Sequence, residues 1–240
     1  MRGMRWLLVA LLFLATSARA AEPVDVALVL VSDVSRSIDD SEFDLQKKGY
    51  SAAFTDPQVV AAIKGGPVGA IAVAYVEFAS SYETSKIVDW TVIRDAGSAQ
   101  AFADKLVGAQ RSAYGRTAIG SGIELAMKSL ADSGFEAQRR VIDVCGDGTN
   151  NNGPDVASVR DTAVAAGITI NGLAIINEHP VSWTYAHVQP PGGLPNWYRD
   201  NVTGGNGSFV LEVHDFKSFG EAMTRKLITE IADAGTIGRF

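Results

Sequence analysis

One cysteine, Cys145, among 240 residues leaves no intramolecular disulfide framework and no cysteine-based zinc site to hold this chain together. Its three histidines, His179, His187 and His214, have no metal-ligand spacing and read as surface or loop residues. With only 8 prolines and 24 scattered glycines, the chain is neither collagen-like nor a proline-rich low-complexity segment. The longest apolar run, Trp6 to Ala15, has ten residues and falls well short of the roughly 20 that span a bilayer. Positive charge is also scarce, with 21 lysines and arginines against 27 acids and a net charge of -6. The first twenty residues carry three arginines and no acid, so the remainder stands at -9. Such a surface repels nucleic acid and anionic lipid headgroups and leaves cationic, metal-bridged or ordinary protein partners.

What is present points first to export. Arg2 and Arg5 precede the short apolar run, and Ala18-Arg19-Ala20 has the small-x-small spacing that signal peptidase reads. Residues 1–20 are therefore expected to be a signal peptide cleaved after Ala20, with the protein periplasmic or extracellular and no stable membrane anchor. Residues 21–240, 47% hydrophobic over the whole chain, are expected to form a single domain of undetermined oligomeric state.

Asp25 to Val31 and Val141 to Cys145 are near-continuous apolar runs, as in strands buried on both faces of a parallel sheet. Val68 to Ala79 and Glu83 to Val92 read as a strand, a turn at Ser80-Ser81 and an alternating edge strand. Ile168 to Ile176 and Phe209 to Val213 complete the strands. Helical spacing runs from Phe43 to Phe54, Gln58 to Ile63, Ser98 to Gln110 and Thr117 to Ala131. A further helix is expected to open at Pro154, a short one near Asn196 to Val202, and a last one capped by Asp215. The fold class is α/β: a doubly wound, mostly parallel sheet with one antiparallel edge strand and helices on both faces.

In such sheets ligands bind beyond the carboxyl ends of the strands, at the point where strand order reverses. The first strand ends in Asp33-Val34-Ser35-Arg36-Ser37, so Asp33, Ser35 and Ser37 can aim three oxygens at one point. Thr117 follows Gly115, which permits close backbone approach, and Asp147 ends the second buried run between two glycines. Two carboxylates and three hydroxyls, with no soft ligand, suit Mg²⁺ or Mn²⁺, with Ca²⁺ also admitted. Two aspartates at most balance the charge of a divalent ion, so a partner's carboxylate is the natural remaining ligand. Taken without the other three, Asp33 and Ser35 read first as a helix-capping turn.

Asp33-x-Ser35-x-Ser37, Thr117 and Asp147, in this order on this alternation of strands and helices, resemble the metal-ion-dependent adhesion site (MIDAS) of von Willebrand factor A (VWA) domains. The resemblance covers about residues 24 to 235 and extends to a group of exported proteobacterial VWA-like proteins carrying a domain of unknown function. It implies that Ser35 and Ser37 coordinate a cation directly and that Asp33, Thr117 and Asp147 do so directly or through water. It also implies a binding module whose protein partner presents an acidic residue. Two positions depart from the pattern: Arg36 replaces the usual small residue, and Gly146 stands where many relatives have threonine.

Other residues carry weaker signals. Asp143 lies in the middle of an apolar strand and needs a partner, which with Ser32 and Asn171 suggests a polar network beneath the metal. Arg36 is placed to pair with an acidic ligand or with Asp39 or Asp40. Trp183, Tyr185, Trp197 and Tyr198, in an irregular stretch from Asn177 to Gly207, read equally as recognition residues or as anchors for that stretch. The loop from Asp147 to Ser158 lacks the glycine and glutamate of an EF-hand, and Gly120-Ser121-Gly122 lacks the spacing of a nucleophile elbow. No Ser/His/Asp triad emerges. The alternatives to a binding module are a metal-dependent hydrolase and a structural VWA-like domain without metal.

Overall fold

The computed structural model describes residues 21–176 and 190–232. The expected signal peptide, Trp183, Tyr185, His179 and His187 lie outside the described residues. Six strands form one sheet: β1 (Glu22–Asp33), β2 (Ile71–Phe78), β3 (Thr84–Ile93), β4 (Phe135–Gly146), β5 (Ile168–Ile175) and β6 (Val210–Val213). Their order is β3-β2-β1-β4-β5-β6, and only β3 runs antiparallel to its neighbour.

Strand alternation sorts the central side chains onto two faces. Val26, Leu28 and Leu30 of β1 pack with α1 (Asp40–Thr55), α2 (Pro57–Lys64), α3 (Ala96–Gly108) and α7 (Phe219–Ile231). Ala27, Val29 and Val31 pack with α4 (Ile119–Ala131), α5 (Val156–Ala165) and α6 (Leu194–Asn201). With helices on both faces, β1 and β2 can be apolar almost throughout, and that burial is why they read as continuous runs.

Several boundaries differ from the sequence reading, and three of them have a physical reason in the structure. β4 begins at Phe135 rather than Val141, because its first half alternates between a covered face and solvent before both faces close over it. Helix α5 starts at Val156, where the Asp155 carboxylate accepts from Ser158 N at 2.9 Å, so Pro154 lies just outside it. Asp215 caps a 3₁₀ turn, Phe216–Ser218, that leads into α7. Among the described residues, no helix is long and apolar enough to cross a membrane.

β1 and β4 are adjacent, and β1 is followed by β2 on one side while β4 lies on the other, so strand order reverses between them. The register pairs Ser32 with Cys145, which brings Asp33 beside Gly146 and Asp147. The two aspartates thus reach one place from positions 114 residues apart in sequence.

Candidate metal centre

Asp33 ends β1, and its Oδ1 accepts from Ser35 N at 2.7 Å, which turns the chain sharply out of the sheet. Val34 N donates to Phe78 O at 2.9 Å and fixes the other side of that turn. Asp39 then starts α1 with a capping box: its carboxylate accepts from Glu42 N, and Glu42 reaches back to Asp39 N. The serine-bearing loop is therefore held at both ends by its own sequence.

A second constraint comes from Arg111, whose side chain is only 4% exposed. Its Nη2 donates to the carbonyls of Val34, Ser35 and Ile38, each at 2.8 Å, and its Nε donates to Ala113 O at 3.0 Å. The guanidinium lies 4.0 Å from the centre of the Tyr114 ring, so stacking adds to the hydrogen bonds. Nothing in the sequence around Arg111 distinguishes it from a surface arginine.

Thr117 is delivered by the segment before α4. A Cβ on Gly115 would lie 2.9 Å from Ser80 N and closer still to the side chains of Ser80 and Glu83, so only glycine permits this approach. Gly115 O accepts from Arg36 N at 3.0 Å, which joins the two loops. Three consecutive asparagines after Asp147 lock the neighbourhood. Asn151 Oδ1 accepts from Thr117 N at 3.0 Å, Asn152 Oδ1 from Ser81 N at 2.8 Å and Asn150 Oδ1 from Gly120 N at 3.4 Å. This segment, which failed as an EF-hand, is a set of side-chain struts.

The side chains of Ser35, Ser37, Thr117 and Asp147 come together, and the Asp33 carboxylate adjoins them through Ser35 N. Ser35 Oγ lies 3.1 Å from Ser37 Oγ and 3.2 Å from Thr117 Oγ1, while Ser37 Oγ donates to Asp147 Oδ1 at 2.8 Å. Asp33, Ser35, Thr117 and Asp147 are buried and Ser37 is half-buried, so the cluster faces solvent mainly past Ser37. Among the described residues, no three carboxylate, imidazole or thiol side chains converge as a metal-holding group. Any capacity for a cation here rests on two carboxylates assisted by hydroxyls. Hydroxyl and carboxylate oxygens, with no nitrogen or sulfur among them, are the donor types that hard divalent cations take.

Asp143, Ser32 and Asn171 do not join this cluster. Their side chains project to the opposite face of the sheet, towards α1 and α7, because strand alternation separates them from Asp33 and Gly146. Ser32 Oγ bonds Tyr50 OH at 2.7 Å. Asp143 Oδ1 meets the buried Lys226 Nζ at 2.8 Å; Lys226 also pairs with Glu230, whose Oε1 accepts from Asn171 Nδ2 at 2.8 Å. Burial, and then the nearby Glu230 charge, push the Asp143 carboxyl up to about 7 against the pull of Lys226. Burial likewise pushes the Cys145 thiol up, consistent with an inert core side chain.

The model of the family described as "Protein of unknown function (DUF1194)" matches residues 23–235. The chain belongs to this family. No curated protein matches it in sequence. Solved structures place this DUF1194 member among VWA-like α/β folds. Proximal thread matrix protein 1 from the mussel byssus, solved with a zinc-occupied MIDAS motif, aligns with a TM-score of 0.58 at 18% identity, covering 87% of this chain and 46% of the other. A von Willebrand factor type A protein from Catenulispora acidiphila gives 0.59 at 14% identity, covering 85% and 42%. The BatB protein from Bacteroides thetaiotaomicron gives 0.53 at 19% identity, covering 86% and 98%. The DUF1194 chain thus spans less than half the length of the mussel and Catenulispora chains. At these identities the likeness establishes the fold.

Proposed function

We propose that this chain is an exported protein-binding module in which Asp33, Ser35, Ser37, Thr117 and Asp147 hold Mg²⁺ or Mn²⁺ and a partner protein contributes an acidic side chain. The observation that carries this reading is the chain of oxygens Thr117–Ser35–Ser37–Asp147 at the strand-order reversal, each 2.8–3.2 Å from the next, with the Asp33 carboxylate bound to Ser35 N at its base. When bound, the ion would supply an electrophilic point for an outside carboxylate. The protein's own contribution is to hold the hydroxyls and carboxylates in place through Arg111, the asparagine struts and the capping box.

The surroundings favour an anionic partner. Arg36 and Arg116 are exposed on the two loops that carry the serines and Thr117, and among the described residues neither meets a carboxylate. Tyr114 and Tyr82, 57% and 85% exposed, stand on the same loops or on the adjoining β2–β3 turn. Arginine and tyrosine dominate the energetics of protein interfaces, and two arginines in a chain of net charge -6 form a local exception. A cavity of about 180 Å³ beside the cluster, lined by Arg36, Asp39, Arg111 and Tyr114 among others, offers room for a flanking side chain. The zinc-occupied motif of the mussel protein, and a pilus adhesin from Lactobacillus rhamnosus with the same fold (TM-score 0.57), are compatible with this reading. The arginine-flanked apolar leader supports export.

The test is a pull-down from exported-protein extract in Mg²⁺ and in chelator, with wild type and Asp33→Ala side by side. The proposal expects a partner retained only by wild type with metal. Equal capture by the variant, or in chelator, would count against it. Turnover of phosphate or ester substrates that Asp33→Ala abolishes would instead assign the site to hydrolysis.

A further inference from the structure

Tyr198, on the short helix α6, is completely buried, yet among the described residues its hydroxyl has no hydrogen-bond partner. Buried polar groups in native proteins are nearly always satisfied, so an orphaned hydroxyl marks a place where something is missing. The ring lies over β5 and β4 in a space left open by two glycines. A Cβ on Gly172 of β5 would lie 2.9 Å from Tyr198 Cδ1, and one on Gly146 of β4 would lie 2.7 Å from the Tyr198 hydroxyl. That second point is also 3.1 Å from Asp33 Oδ2, so the hydroxyl and the carboxylate are less than about 6 Å apart. Gly146, Gly172 and Asp33 all project to the face that carries α6, and no side chain intervenes at Gly146.

We propose that Tyr198 is a positioning residue of the cation site, its hydroxyl donating to the Asp33 carboxylate through the gap at Gly146, directly or through one water, and so fixing how Asp33 faces the ion. Burial, with the negative fields of Asp33, Cys145, Asp147 and Asp143, pushes the phenol well above its ordinary range, so it remains a donor. Gly146 is the reason this support comes from a distant helix: any side chain there would collide with the hydroxyl. Gly172, inside β5, marks the same approach: an isolated glycine within a strand often signals close contact. The effect on cation affinity rests on the cation-site reading above, whereas the contact with Asp33 does not.

Two measurements on the full chain separate these claims. In metal-free protein, thermal unfolding of wild type, Tyr198→Phe, Asp33→Ala and the double variant forms a cycle. A contact makes the two Tm shifts non-additive, and additive shifts would overturn the proposal. Titration with Mn²⁺ should then show affinity for Tyr198→Phe about 10–100-fold weaker than wild type, the usual consequence of losing a supporting hydrogen bond. Adding Gly146→Ser to Tyr198→Phe should recover part of that loss, because a hydroxyl returns to the same gap, whereas Gly146→Ser alone should lower Tm by collision. A purely structural tyrosine would show no such rescue, and unchanged affinity in Tyr198→Phe would refute the positioning role. If wild type binds no Mn²⁺, the cation site falls while the metal-free cycle still decides the contact.

Discussion

Lys226 is the residue whose replacement has the most calculable consequence. It is completely buried on α7, with Nζ 2.8 Å from Asp143 Oδ1 and paired with Glu230, both equally enclosed. One cation faces two carboxylates, so the triad is neutral only when one acid keeps a proton, in keeping with the Asp143 carboxyl raised to about 7. Lys226→Met preserves the volume and removes the charge. Breaking a buried pair costs about 3–5 kcal/mol, and in a domain of this size each kcal/mol moves Tm by about 2–4 °C, so a fall of about 6–20 °C is expected at neutral pH. Because the Asp143 pKa is raised above its unfolded value of 3.8, the folded protein binds more protons than the unfolded one between roughly pH 4 and 7. Wild-type stability from this group is therefore greatest at acid pH and declines as pH rises through that window. The variant should decline more steeply, with a deficit larger at pH 8 than at pH 5, where protonation replaces the missing lysine. Thermal unfolding by circular dichroism at several pH values measures this. A deficit below about 1 kcal/mol, or one that does not change with pH, would refute the reasoning. Adding Asp143→Asn and Glu230→Gln should restore most of the loss.

Gly49→Ala should destabilise by about 1–3 kcal/mol in urea denaturation, since the new methyl would lie 2.4 Å from Phe219 Cδ1 and 3.0 Å from Gly220 N, where α1 and α7 touch. Gly108→Ala, with nothing within 4 Å, should instead stabilise by about 0.4–1 kcal/mol. Arg111→Lys should cost about 1–3 kcal/mol, because a single ammonium cannot reach the carbonyls of Val34, Ser35, Ile38 and Ala113 together. The same variant should weaken Mn²⁺ binding, although Arg111 touches none of the five oxygen-bearing side chains.

Much of this was legible in sequence where the signal was local. Strands buried on both faces announce themselves as apolar runs, so β1 and the second half of β4 could be placed, while the alternating half from Phe135 to Arg140 could not. Asp-x-Ser-x-Ser is a contiguous pattern and Asp147 follows the end of a buried strand, whereas Thr117, in the segment before α4, joined them through the resemblance to the MIDAS. The supports were not legible because their meaning is long-range. Arg111 acts on carbonyls more than 70 residues away, and Lys226 occupies a helix position that resembles a solvated lysine until Asp143 is opposite it. The demand of Asp143 for a partner was visible from its place in an apolar strand, but the face it would use was not. Tyr198 was legible as a candidate anchor of its stretch, but not what it would meet; Gly172 inside β5 and Gly146 at the end of β4 mark where its ring comes close.

The central claim is that five side chains from three segments form one divalent-cation site. Titration of the chain with Mn²⁺, followed by the loss of the free-ion electron paramagnetic resonance signal, tests it most directly. One ion bound per chain, displaced by Mg²⁺ and abolished by Asp33→Ala or Ser35→Ala, is the predicted result. No binding at millimolar Mn²⁺, or binding that both variants retain, would contradict it.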